Sequence, residues 1–239
     1  MTAVKVCGLT RERDVRLAVE CGAWACGFVL TDSPRRLTPQ QAAPLARAAG
    51  RAALTVGVVT TESPEWIAAA LVVAGLGALQ LSAGADGPTV AAVRAAAMSS
   101  GRRPLLIAAA DTPDADDADF VLFDARAPGV YGGSGTTLDW LSLAAAPLPA
   151  DRLVLAGGLS PGNVGEAIAA LQPWAVDVSS GLESPGAPGH KDAGLLRAFL
   201  AAVHEADVEA AEPGAASTAS PPPPGHRPLK AATTPEVDR

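Results

Sequence analysis

Short apolar runs alternate with longer stretches in which apolar residues recur every three to four positions, and this rhythm holds from the start of the chain to about residue 204. Val4 to Cys7, Ala25 to Leu30, Leu54 to Val59, Ala78 to Leu81, Leu105 to Ala109, Phe120 to Phe123, Leu153 to Ala156 and Ala175 to Val178 are short and continuous, and each reads as a buried strand. Between them Arg11 to Glu20, Pro39 to Ala49, Pro64 to Ala74, Val90 to Ser99, Leu138 to Ala145, Pro161 to Leu171 and Ala193 to His204 read as helices. Several open on a proline, whose missing N–H has no intrahelical partner in a first turn anyway. Only Asp111 to Asp119 is too polar and short to predict a helix. Eight strands joined by such crossovers predict an α/β fold, a single-domain (β/α)8 TIM barrel in preference to a doubly wound open sheet.

The composition breaks near Glu205. Beyond it the chain is rich in Ala, Ser, Thr and Pro, with four consecutive prolines from Pro221 to Pro224 and no aromatic residue. Such a segment buries too little apolar surface to offset chain entropy. The expected organisation is a barrel domain over residues 1–204 and a disordered, Pro/Ala-rich C-terminal tail over 205–239.

Hydrophobic residues make up 49 % of the 239 positions but aromatics only 4 %, so the core must be built from Ala, Val and Leu, which suits close strand–helix packing. The net charge of −7 and the lack of any basic run exclude a nucleic-acid partner and disfavour a membrane surface. No apolar stretch approaches the roughly 18 residues that a membrane helix needs. Cys7, Cys21 and Cys26 are odd in number and lack metal-type spacing, and Met1-Thr2-Ala3-Val4-Lys5 lacks the design of a signal peptide. A reducing, cytoplasmic setting is therefore expected, with no metal, and Cys21 and Cys26 in structural roles.

In a barrel, chemistry sits where the strands end, so the residues after each apolar run are the candidates. The first strand ends in Cys7-Gly8, where the thiol is either an inert core residue or a reactive group. The second is followed by Ser33-Pro34-Arg35-Arg36, two cations that are either solvated or available for a substrate carboxylate. Asp124 follows the sixth strand, and beyond it lies a glycine-rich loop containing Gly132-Gly133-Ser134-Gly135. Here the carboxylate either braces the loop or serves as an acid, and the glycines either form a turn or a cradle. The seventh strand ends in Gly157-Gly158 and the eighth in Asp177-Val178-Ser179-Ser180-Gly181. Bare backbone amides and helix starts after the last two strands are the usual phosphate seat of barrel enzymes, although tight turns and ordinary caps use the same residues. His190, His204 and His226 are expected in solvent, and Trp140 at a helix start.

Taken together, Lys5-Val6-Cys7-Gly8-Leu9-Thr10, Gly27-Phe28-Val29, Ser33-Pro34-Arg35-Arg36, Gln80-Leu81, Gly132-Gly133-Ser134-Gly135 with Asp139-Trp140, Ala156-Gly157-Gly158-Leu159 with Asn163-Val164, Asp177-Val178-Ser179-Ser180-Gly181 with Glu183, and Lys191-Asp192 resemble the phosphoribosylanthranilate isomerase family in order and spacing over residues 4–203. The resemblance implies a cofactor-free isomerase of tryptophan biosynthesis, acting on a small phosphorylated sugar as a monomer or homodimer. It implies Cys7 as general base, Asp124 as general acid and Arg36 as the contact to the anthranilate carboxylate. The phosphate cradle maps onto Gly133, Ser134, Gly157, Gly158, Ser179, Ser180 and Gly181, and Asp177 onto a contact with the ribose or amine.

One block departs from the family: Gln-Leu-His-Gly is replaced by Gln80-Leu81-Ser82-Ala83-Gly84, and serine cannot carry a positive charge near neutral pH. The related histidine-pathway barrel places an aspartate where this chain has Cys7, which disfavours that enzyme. From a different class, the alternative is a non-catalytic or specialised phosphate-binding barrel paralogue.

Overall fold

The computed structural model describes residues 1–124 and 149–211. In chain order these form β1 (Ala3–Val6), α1 (Glu12–Glu20), β2 (Ala25–Val29), α2 (Pro39–Ala49), β3 (Leu54–Val59), α3 (Pro64–Ala74), β4 (Ala78–Leu81), α4 (Val90–Ser99), β5 (Leu105–Ala109), β6 (Phe120–Asp124), β7 (Leu153–Ala156), α5 (Val164–Leu171), β8 (Ala175–Val178) and α6 (Ala193–Ala211). Every strand pairs in parallel with the next, and β8 closes on β1 in the register Ala3↔Ala175 to Val6↔Val178. The expected eight-stranded TIM barrel is the observed fold. Gly133, Ser134, Trp140 and the helix expected at Leu138 to Ala145 lie outside the described residues, as does His226.

Strand periodicity of two divides the apolar residues between two cores. Val4, Val6, Phe28, Leu79, Leu106, Leu155, Val176 and Val178 point outward and pack with the helices in one large cluster. Ala25, Val56, Ala78, Ile107, Phe120, Leu122, Val154, Ala156 and Ala175 point inward and fill the barrel. Trp24, Phe120 and Trp174, with ring centroids 4.4–5.5 Å apart, occupy the end where the strands begin. Few aromatics suffice because they are gathered there, while small residues fill the rest of the interior.

Local signals set the helix starts. Thr38 and Gln41 form a reciprocal capping box before α2, and Ser63 and Thr89 accept from the third residue of α3 and α4 respectively. Asp111 to Asp119 forms only a short 3-10 turn at Ala115–Asp117, in keeping with its polarity. Within it Asp114 adopts a left-handed backbone, φ 56°, and its carboxylate accepts from the Val90 and Ala91 amides that open α4. Pro161, expected at a helix start, lies instead in a turn before α5, because Asn163 accepts from Ser160 N and delays the helix to Val164.

The last helix corrects the expected boundary at residue 204. It runs to Ala211, so residues 205–211 belong to the barrel domain and not to a tail. Asp207 is the reason: its carboxylate accepts from the amide and hydroxyl of Thr2, at 2.7 and 2.8 Å, tying the final turns to the start of β1. Ala206 adds partly buried apolar contact.

Candidate active site

The alternation that buries alanines inside the barrel also turns Lys5, Cys7, Gln80, Asp124, Asp177 and Ser179 inward, each two residues from another inward position on its strand or just beyond it. A cavity of about 590 Å³ opens above them at the C-terminal ends of the strands, a volume typical of small-molecule sites. Its walls include Cys7, Gln80, Ser82, Asp111, Asp124 and Asp177, together with Gly157, Gly158, Ser179, Ser180 and Gly181. The fold thus brings all the described candidates except Arg36 to one opening.

Cys7 is 8 % exposed and ends in contact distance of the inward face of Gly27, where an added Cβ would stand 3.0 Å from the sulfur. Its thiol pKa is raised above the ordinary value by burial, with Lys5 opposing the rise and Asp177 adding to it. Lys5, wholly buried, donates to Asp177 Oδ2 at 2.7 Å from the register position directly beside it. Burial opposes the ammonium charge, but Asp177 and Cys7 more than offset this and its pKa is raised. Asp177 Oδ1 is buried and has no hydrogen-bond partner, and the same holds for Gln80 Oε1, whose amide nitrogen donates to Ser82 Oγ at 2.9 Å. Both residues line the cavity, where such acceptors suit a hydroxyl-bearing ligand.

The phosphate-type loops are shaped by backbone geometry. Gly157 and Gly158 take positive φ, 100° and 69°, as the chain leaves β7, and Ser180–Leu182 forms one 3-10 turn after β8, whose first amides have no intrahelical acceptor. Gly181 is required sterically, since a Cβ there would collide with the Leu159 carbonyl oxygen. The turn is held from behind by Glu183. Its carboxylate accepts from Arg35 Nε and Nη2 at 2.7 and 2.6 Å, from Gly189 N at 2.8 Å and from Lys191 Nζ at 3.0 Å. Burial alone pushes the Glu183 carboxyl up, but Arg35, Gly189 and Lys191 override it and bring its pKa down to about 2. Lys191 Nζ also donates to Ser179 O, and its backbone amide donates to Asp14.

The two arginines separate. Arg35 reaches across Gly8 to Glu183, and Gly8, φ 70°, admits it because a Cβ would lie 2.5 Å from Arg35 Cδ. Arg36, expected to meet a carboxylate, is exposed, pairs through its backbone with Val29 and does not line the cavity. The segment is a turn, closed by Arg36 N donating to Ser33 O, and it sends one arginine to the β8 loop and the other to solvent. Lys5, Gln80, Glu183 and Lys191 were not among the expected site residues, and Arg35, weighed with Arg36 as a cation for a substrate carboxylate, is taken by Glu183. His190 and His204 are exposed as expected, and Cys26, with its pKa pushed by burial to about 12, is packed in the outer core. Among the described residues no group of acids, histidines and cysteines has the arrangement of a metal site, and no helix is long and apolar enough to cross a membrane.

A closed parallel barrel whose polar interior residues meet one cavity at the strand C-termini defines the class of (β/α)8 enzymes. Residues 4–202 match the family model described as N-(5'phosphoribosyl)anthranilate (PRA) isomerase, and the chain belongs to that family. The N-(5'-phosphoribosyl)anthranilate isomerase of Methylibium petroleiphilum is 42 % identical over 220 residues, spanning 88 % of this chain and 97 % of the relative. TrpF from Jonesia denitrificans superposes with a TM-score of 0.73 at 36 % identity, covering 87 % of this chain and 98 % of that one. A phosphoribosyl anthranilate isomerase in complex with reduced 1-(o-carboxyphenylamino)-1-deoxyribulose 5-phosphate superposes with a TM-score of 0.67 at 31 % identity, covering 86 % of this chain and all of that one.

Proposed function

We propose that this chain catalyses the Amadori rearrangement of N-(5-phosphoribosyl)anthranilate to 1-(2-carboxyphenylamino)-1-deoxyribulose 5-phosphate, an aldose–ketose isomerisation of tryptophan biosynthesis carried out in the cytoplasm. The observation that supports it best is the shared cavity: Cys7 and Asp124, from strands β1 and β6, border the same space as the Gly157–Gly158 and Ser179–Gly181 loops, in a chain of this family.

Asp124, in its protonated form, gives its proton to the ring oxygen as the C1–O bond breaks, leaving a C1 iminium. The iminium is an electron sink, so the C2 proton becomes acidic enough for the Cys7 thiolate to remove without metal or cofactor. The resulting enolamine becomes the ketone when the Cys7 thiol gives its proton to C1 and the enol proton passes to Asp124, so base and acid are both restored and no net proton is consumed. Gly133 and Ser134, Gly157 and Gly158, and Ser179 to Gly181 hold the phosphate, Arg36 swings in to the anthranilate carboxylate, and Asp177 accepts from a ribose hydroxyl or the amine. Anchoring both anionic ends converts remote binding into placement of C1 and C2 between the acid and the base.

The anthranilate-type fluorescence of the substrate disappears on rearrangement. Purified full-length chain is expected to abolish it catalytically, and Arg36→Met to raise KM with a smaller effect on kcat. Stoichiometric binding without turnover would overturn the reading in favour of a non-catalytic phosphate-binding barrel.

A further inference from the structure

The proposed base sits in a poor place for a base. Cys7 is buried, and a thiolate formed there loses hydration, which on its own favours the neutral thiol. β1 leads directly to the sulfur, and Gly8 follows in left-handed backbone, φ 70°, before α1 begins at Glu12. In compensation the fold supplies a lysine placed in the middle of an apolar strand with none of its surface exposed. Lys5 is two residues before Cys7 and therefore on the same inward face. Its ammonium donates to Asp177 Oδ2 at 2.7 Å, and its charge acts on the Cys7 sulfur on the same inward face.

A buried ion pair of this kind adds little net stability, since apolar residues fill such space equally well. Its location is better explained by what the ammonium does for the sulfur. The other charged groups that face Cys7 are Asp177 on β8, Lys191 beyond β8 and Arg35 beyond β2, with Asp124 of β6 on the far wall of the cavity. Arg35 and Lys191 are both committed to Glu183, so among the described residues the cation whose charge is left to act on the sulfur is Lys5.

We propose that Lys5 is the positioning residue of this site: its buried ammonium, fixed by Asp177 on the same inward face as Cys7, offsets part of the cost of burial and so favours the thiolate that takes the C2 proton. Asp177 sets how much of that positive charge reaches the sulfur. The inference rests on Cys7 being the base. After the proton has moved to sulfur, the pair is left as a thiol beside a lysine still neutralised by Asp177, so Lys5 itself neither gains nor loses a proton during turnover.

The opposed influences of the two partners give a test that a structural role does not mimic. The rate of iodoacetamide alkylation of Cys7, read by mass spectrometry of its peptide in the intact folded protein, is followed against pH. Lys5→Met is expected to raise the midpoint by about one pH unit or more, as loss of a close opposite charge does. Asp177→Asn is expected to lower it, because the ammonium is then left to the sulfur alone. Each single variant strands a buried charge and is at risk of unfolding. Lys5→Met/Asp177→Asn removes both charges together and is expected to keep the midpoint above that of the wild type. A midpoint in Lys5→Met or in the double variant at or below the wild-type value, or one in Asp177→Asn that fails to fall, overturns the proposal. Turnover by Cys7→Ala tests the base separately: if that variant stays active the base assignment fails, whatever the alkylation shows, whereas inactive Cys7→Ala with unshifted midpoints sinks only the role of Lys5.

Discussion

The two halves of the cavity wall are built on opposite terms. Across β8, β1 and β2 most polar atoms, Asp177 Oδ1 aside, are spoken for: Lys5 binds Asp177, Glu183 collects Arg35, Lys191 and Gly189, and Asp14 joins Arg11 to the Lys191 amide. Across β4, β5 and β6 the wall is more open: Gln80 Oε1 is buried without a partner, and Asp111 and Asp124 reach the rim exposed to solvent. The first sector is preorganised for anions at fixed positions, and the second keeps acceptors open for a ligand with hydroxyls. Such a division suits a substrate whose phosphate must be held still while its sugar changes shape.

If that division is right, removing the chemistry costs turnover from either sector, but removing support costs stability only in the first. The largest effects are expected for Cys7→Ala and Asp124→Asn, each lowering kcat by about 10²–10⁴-fold in the fluorescence assay. Because Asp124 is exposed, its variant should unfold within about 0.5 kcal/mol of the wild type in urea. Glu183→Ala strands Lys191 and Arg35 and is expected to cost about 3 kcal/mol in the same experiment. The difference between wild type and Glu183→Ala has a defined pH dependence. The folded pKa of Glu183 lies below its ordinary value, so its contribution is complete above about pH 4.5 and fades as the pH falls through about 2. A gap that instead widened in acid would place the stabilisation elsewhere.

Gly181→Ala forces the Ser180–Leu182 turn away from the Leu159 carbonyl, for about 2 kcal/mol of stability and a raised KM measured by titrating the phosphorylated substrate. The smallest effect is expected from Ser82→His in the open sector. It exchanges one hydrogen bond to Gln80 for another and should change kcat by about tenfold or less. Complete loss of activity in that variant would show a pocket rebuilt around serine.

The same asymmetry explains what could be read from sequence. The ends of the apolar runs were enough to put Cys7, Asp124 and Asp177 at one end of the barrel, because each closes a short continuous run that reads as a buried strand. Strand periodicity also marks Lys5, a charge two positions before Cys7 inside a strand, as an inward group. The signal lay in the parity of the position, which composition obscures. The choice between Arg35 and Arg36 had no such guide: adjacent residues in a short turn point apart, and only the position of Glu183, 148 residues away, decides which one is captured. Lys191 with Glu183 and Asp14 is likewise a product of distant segments meeting above the barrel. The C-terminal boundary was misplaced for a related reason. Glu205, Asp207 and Glu209 make the sequence look like tail, but Asp207 has a partner at Thr2, at the far end of the chain.

The central claim is that one sugar lies between the Cys7 sulfur and the Asp124 carboxyl with its phosphate against the β7 and β8 loops. A crystal structure of this chain with reduced 1-(o-carboxyphenylamino)-1-deoxyribulose 5-phosphate measures it directly. The account predicts the phosphate at Gly158, Ser180 and Gly181, and the C2 carbon about 3–3.5 Å from Cys7 Sγ with Asp124 on the opposite side. A ligand bound with its sugar out of reach of either group, or with its phosphate on the β4–β6 side, would contradict it.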